Sequence, residues 1–122
     1  MIKVLINSSS RFPVNRVRIK KLVKSVLGEH GVEKDIEVSI LFAGDRKMKA
    51  LNTKYRKIKE TTDVLSFPLS ENKFPDKVLR LGDIIISYPQ VRKQAALYNI
   101  LVDEEIDKLV KHGILSLLGL HN

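Results

Sequence analysis

The sequence contains no cysteine among its 122 residues. Disulfides, thiolate zinc sites, iron–sulfur clusters and thiol nucleophiles are therefore excluded, and any metal must be held by imidazole, carboxylate, carbonyl or water. Histidine is scarce too, with three residues in all, His30, His112 and His121. No apolar run approaches the roughly 20 residues needed to span a bilayer. The apolar start from Met1 to Ile6 gives way at once to Asn7, Ser8, Ser9 and Ser10, too short for a signal peptide. A cytoplasmic protein with no membrane partner is expected. Acidic residues are few, 14 Asp and Glu against 22 Lys and Arg, for a formal net charge of +8. Charge of that sign on so short a chain favours polyanionic partners, nucleic acid first. The length suits one core, so residues 1–122 are read as a single domain.

The positive charge is clustered. Arg46, Lys47, Lys49, Lys54, Arg56, Lys57 and Lys59 follow one another with no acidic residue between, where a salt-bridged helix face would alternate sign. Arg16, Arg18, Lys20, Lys21 and Lys24 form a second group. The acids Asp103, Glu104, Glu105 and Asp107 gather where the last helix is expected to begin, and there they complement its dipole.

Hydrophobic periodicity predicts a short strand at 2–6 and a helix capped by Asn15, with Ile19, Leu22, Val23, Val26 and Leu27 on its apolar face and Gly28 at its stop. Ile36, Val38, Ile40 and Phe42 alternate with polar residues, as in a half-buried strand. Asp45 is expected to cap a helix with Met48, Leu51, Asn52 and Tyr55 on one stripe. Residues 64–67 and 81–86 read as strands, the second buried on both faces. The polar segment 70–80 between them has no clear period and is expected to be the most mobile part. Ser87 and Pro89 open a helix with Val91, Ala95 and Tyr98 inward, and Asp103 caps a final helix that ends at Gly119. The fold class that follows is α+β, one small mixed sheet packed with four to five helices.

The last eleven residues, from His112 to Asn122, carry the most chemistry. On a helix, residues i and i+4 face one way, so two ligands at that spacing can grip one metal. His112 has Ser116 at that position, and a hydroxyl is a poor ligand for a divalent ion. His121 lies beyond the Gly119 break, from where it could fold back toward His112. Asp63 and Asp83, beside Thr62 and Gly82, read as turn caps, His30 as a surface residue, and Tyr55 and Phe67 as core rather than base-stacking groups. Tyr88 is the third aromatic that could stack on an unpaired base.

Four blocks occur in order: Asn52-Thr53-Lys54-Tyr55-Arg56, then Thr62-Asp63-Val64-Leu65-Ser66-Phe67-Pro68, then Gly82-Asp83-Ile84, then the stretch from His112. Together they resemble the YbeY family of metal-dependent endoribonucleases of ribosomal RNA maturation, whose members end in His-Gly-x-Leu-His-Leu-x-Gly-x-Asp-His. The resemblance implies one zinc ion held by three His, a basic catalytic residue at Arg56, and a first ligand, also catalytic, at His112. It puts the second ligand position at Ser116 and the third at Asn122, with His121 in place of the family's Asp. The implied function is a zinc-dependent, single-strand endoribonuclease, a hydrolase of ribosome biogenesis. RNA would be bound by Lys54, Arg56, Lys57 and Lys59, and ribosomal RNA, the ribosome or ribosomal proteins would be the partners. Three readings fit the altered signature. In the first, His112 and His121 form a two-His metal site completed by water, Asn122 or the terminal carboxylate; in the second, the chain is a metal-free RNA- or ribosome-binding protein without nuclease activity; in the third, the sequence is a shortened or altered form of an active enzyme.

Overall fold

The computed structural model describes residues 1–32, 35–56, 63–69 and 78–120, apart from the side chains of Tyr55 and Arg56. Its elements are β1 (Ile2–Asn7), α1 (Arg16–Glu29), β2 (Ile36–Ala43), α2 (Asp45–Arg56), β3 (Val64–Pro68), β4 (Leu79–Ser87), α3 (Tyr88–Tyr98) and α4 (Val102–Leu117). The strands make one mixed sheet in the order β1-β2-β4-β3, with β1, β2 and β4 parallel and β3 antiparallel at one edge. The fold is α+β, as the periodicity predicts. Among the described residues no helix is long and apolar enough to cross a membrane.

Strand register explains the core. The parallel pairings put Val4 beside Val38 and Val38 beside Gly82, then Ile6 beside Ile40 and Ile40 beside Ile84, so alternate residues of three strands line up on one face. That face carries the main core with Ile19, Val23 and Val26 from α1 and Ile106, Val110 and Ile114 from α4. The opposite face is smaller, with Ala43, Met48, Leu65 and Ile85 packed under α2. Residues 84–86 are all buried because β4 lies between β2 and β3 with helices on both sides, which is why their apolar run does not alternate.

Two glycines set how closely α4 sits on this sheet. A Cβ on Gly113 would lie 2.9 Å from two carbons of Ile84, and one on Gly82 would lie 2.4 Å from the Phe67 carbonyl oxygen and 2.9 Å from Leu117 Cδ2. Gly82 also has φ +145°, a conformation that side-chain-bearing residues rarely adopt. The final helix turns off at Gly119, where the Gly119 N–H donates to the Ser116 carbonyl (3.0 Å) and the Leu120 N–H to the Leu115 carbonyl (2.8 Å). This is the paired bonding of a Schellman ending, with Gly119 left-handed at φ +79°.

Asn15 caps α1 as expected, accepting from the Arg18 N–H at 3.1 Å. Several local expectations are corrected. α1 continues through Gly28 to Glu29 and turns at Gly31, because its end is fixed by bonds from Gly31 and Val32 back to Gly28 and Leu27. Asp45 does not cap its own helix, since its carboxylate accepts instead from Ser87 Oγ (3.0 Å) and Gln90 Nε2 (3.3 Å) at the start of α3. α4 begins before Asp103, where the Glu104 carboxylate accepts from the Leu101 N–H at 3.1 Å. Tyr98 is 55% exposed, with Lys108 Nζ 4.9 Å from its ring centroid, and Tyr88 takes the buried aromatic place instead. Asp83 caps no turn, because β4 starts at Leu79 and Asp83 sits mid-strand opposite Phe67. Most of the segment expected to be mobile, 70–77, lies outside the described residues.

Gly113→Ala is expected to lower stability by about 1–3 kcal/mol, because overpacking against Ile84 outweighs the gain in helix propensity. Gly28→Ala, with nothing within 4 Å of the added carbon, is expected to raise it by roughly 0.5–1 kcal/mol. Urea unfolding of the two variants checks both signs, and equal effects would contradict the close-contact role of Gly113.

Candidate active site

The orientation of α4 is set by charge on one flank and by apolar packing beneath. Asp107 accepts from Arg18 of α1 at both Nε (3.1 Å) and Nη2 (2.7 Å), a two-pronged guanidinium–carboxylate pair. The hydrogen bond to Asp107 holds the Arg18 guanidinium above its usual pKa. At 100° per residue, His112 and Ser116 lie about 140° and 180° round the helix from Asp107. They occupy the flank turned away from α1, on a helix that also packs on β3 and β4. His112 is exposed and Ser116 half-buried.

The same flank carries a residue that sequence reasoning missed. Glu105 is 2% exposed and its Oε1 has no hydrogen-bond partner, although Lys108 Nζ lies 3.1 Å away. It is a buried carboxylate rather than one more dipole-complementing acid. The available signal was its place beside Ile106 and four residues before Leu109, on the edge of the apolar stripe. Seven residues separate it from His112, roughly 10 Å along the axis, too far for a shared ligand position.

The structure brings His112 and Ser116 together and places Lys54, exposed, on α2 across the sheet. Arg56 closes α2, and its side chain, like Lys57, Lys59, His121 and Asn122, lies outside the described residues. Asp63 accepts from Gln94 Nε2 at 3.2 Å, which ties the start of β3 to α3. His30 is exposed, as expected, with its Nδ1 2.9 Å from the Val26 carbonyl oxygen. Tyr88 is not available to stack on a base: it is 3% exposed, its ring stacked on Phe12 at 5.1 Å, with the Arg92 guanidinium 4.7 Å from its centroid.

Among the described residues no group of three or more His, Cys, Asp or Glu could hold a metal ion. One exposed imidazole and one hydroxyl a turn apart do not fit a three-imidazole zinc site. A zinc site would need further donors from outside the described residues.

A family model described as endoribonuclease YbeY matches residues 5–122. An endoribonuclease YbeY of Thermodesulfovibrio yellowstonii is 50% identical over 82 residues, 67% of this chain and 51% of that protein. One from Desulforamulus reducens is 40% identical over 105 residues (83% of this chain, 69% of that one), and one from Persephonella marina 37% identical over 120 (98% and 78%). The chain thus spans about half the length of the first of these relatives and more of the others. A solution structure of a Thermotoga maritima protein has the same fold, with a TM-score of 0.62 at 24% identity, covering 96% of this chain and 71% of that one.

Ser116→His, which sets a second imidazole one turn from His112, is expected to raise zinc affinity at least tenfold in calorimetric titration. Unchanged affinity would show that residues 112 and 116 do not face one site.

Proposed function

The chain belongs to the endoribonuclease YbeY family, and on that premise we propose that it cleaves single-stranded RNA internally, in the maturation of ribosomal RNA in the cytoplasm. The observation that carries the reading is His112, an exposed imidazole on the flank of α4. It stands beside the glycine that seats this helix on Ile84 of β4. Imidazole is the side chain best suited to move a proton near neutral pH.

The chemistry assigned to these residues is modest and complete. His112 takes the proton of a ribose 2′-OH as that oxygen attacks the neighbouring phosphorus. The P–O5′ bond breaks, leaving a 2′,3′-cyclic phosphate on one fragment, and the departing 5′ oxygen is protonated by water or by the imidazolium. Arg56 places its guanidinium fork against the phosphoryl oxygens, where negative charge grows. Lys54, Lys57 and Lys59 hold the flanking phosphates. If the family's zinc were held, His112 with His121 would hold it, completed by water, Asn122 or the terminal carboxylate, and it would supply an activated water. The described donors do not make up that site, and no step above depends on it. Ribosomal RNA and the ribosome or its proteins are the partners this role implies.

A second reading, RNA binding without cleavage, is favoured by one observation, the hydroxyl of Ser116 where the family pattern has an imidazole. Cleavage of a short single-stranded RNA separates the two. His112→Ala and Arg56→Ala are each expected to slow cleavage by roughly 100-fold or more while binding is largely kept. Undiminished cleavage by both variants would remove the active-site assignment, and binding without any cleavage by the unaltered protein would establish the second reading.

A further inference from the structure

The carboxyl ends of the three parallel strands, at Asn7, Ala43 and Ser87, lie toward one end of the sheet, with Ser87 five residues along β4 from Gly82. Crevices beyond such strand ends are the usual ligand sites of parallel sheets, because helices that begin there aim unpaired N–H groups outward. α2 starts after Gly44 and α3 at Tyr88, and between them lies a cleft of about 710 Å³ lined by Arg11, Phe12, Asp45, Arg46, Lys47 and Arg92 among others.

The charge of this cleft is one-sided. Its lining holds four cationic side chains and one carboxylate, and that carboxylate, Asp45, is already occupied by Ser87 and Gln90. Among the described residues Arg11, Arg46, Lys47 and Arg92 form no ion pair, whereas Arg18 and Arg80 elsewhere are paired with Asp107 and Glu37. Two of the four are held in place. The Arg92 guanidinium lies over the Tyr88 ring and donates to the Arg11 carbonyl at 3.3 Å, and Arg11 lies 5.7 Å from the Phe12 centroid. Tyr88 is itself fixed by its hydroxyl donating to the Pro13 carbonyl at 2.5 Å. Planar guanidinium groups held on aromatic faces are suited to phosphate oxygens. Arg46 and Lys47 add two exposed cations in the first turn of α2.

We propose that this cleft is a second RNA contact, holding the phosphodiester backbone of the strand away from His112. Ser87 lies three residues along β4 from Ile84, under Gly113, and five from Gly82, under Leu117, so the offset of the two sites along the strand direction is roughly 10–16 Å. A single strand can span that distance with a few nucleotides. Long, exposed cations around a wide cleft suit a passing backbone better than a small buried anion. The proposal rests on the RNA reading above for the identity of the polyanion.

The test uses the whole protein and a fluorescent, 2′-O-methyl single-stranded oligonucleotide that cannot be cleaved through its 2′ oxygen, with anisotropy read over a salt series. An Arg46→Gln/Lys47→Gln double variant is expected to bind about tenfold more weakly at 0.1 M salt. The slope of log K against log salt should shrink by about 1.4, since each neutralised phosphate of a single strand contributes roughly 0.7. Lys20→Gln/Lys24→Gln, an equal loss of charge on exposed positions of α1, is expected to leave the slope unchanged. Equal losses in both variants would assign the effect to net charge alone, and an unchanged Arg46→Gln/Lys47→Gln variant would remove the cleft; either overturns the inference while RNA binding stands. Saturable binding of inorganic phosphate that RNA does not displace would assign the cleft to a small anion instead. No binding by the unaltered protein would remove the RNA reading and this inference together.

Discussion

The contact of α4 with the sheet is the constraint on which the rest of the arrangement depends. Gly113 lies on Ile84 and Leu117 on Gly82, at distances that leave no room for a side-chain carbon on either glycine. That seating fixes the height and rotation of the helix, and the Arg18–Asp107 pair holds its α1 flank. With both in place, His112 and Ser116 have one available direction, away from α1. The position of the imidazole is thus a consequence of packing several residues away, as expected where interiors are close-packed and transmit small displacements. The Schellman ending at Gly119 then turns the chain off the helix axis at Leu120.

Two places along the sheet divide the work in the proposed reading. Over Ile84 and Gly82, in the body of β4, sits the stretch of α4 that carries His112 and Ser116. Where β1, β2 and β4 finish, cations collect around a cleft lined in part by Phe12, whose ring stacks on the buried Tyr88. In the proposed reading, an RNA strand laid across both meets attraction at the cleft and chemistry at His112. Attraction at a distance from the reacting bond raises occupancy without depending on it, and it survives the change that puts Ser116 where the family has an imidazole.

Much of the fold was legible because its elements are strongly periodic. The stripes of α1 and α4, the alternation of β2 and the unbroken apolar run of β4 each had one reading, and the sheet follows from their order. Errors fell where a side chain had two competing partners. Asp45 and Asp103 look like caps by spacing, yet Asp45 bonds across to α3, and Glu104 answers the open N–H of Leu101. Tyr98 and Tyr88 exchanged roles because Tyr88 can hydrogen-bond Pro13 while buried, a tertiary contact that no local pattern carries. The candidate site was legible in part, through the spacing of His112 and Ser116. Buried Glu105 was missed although its place on the edge of the apolar stripe was a signal, and Arg11 and Arg92 were missed because their contact joins residues more than 70 positions apart in the chain.

The most direct measurement is the product pattern from an end-labelled RNA presented to the purified protein as a single strand and as a duplex of the same sequence. Internal fragments from the single strand, with the duplex left intact, are the expected result. A single strand that is bound and left whole, or a duplex cut equally well, would contradict the assignment of this protein as a single-strand endoribonuclease.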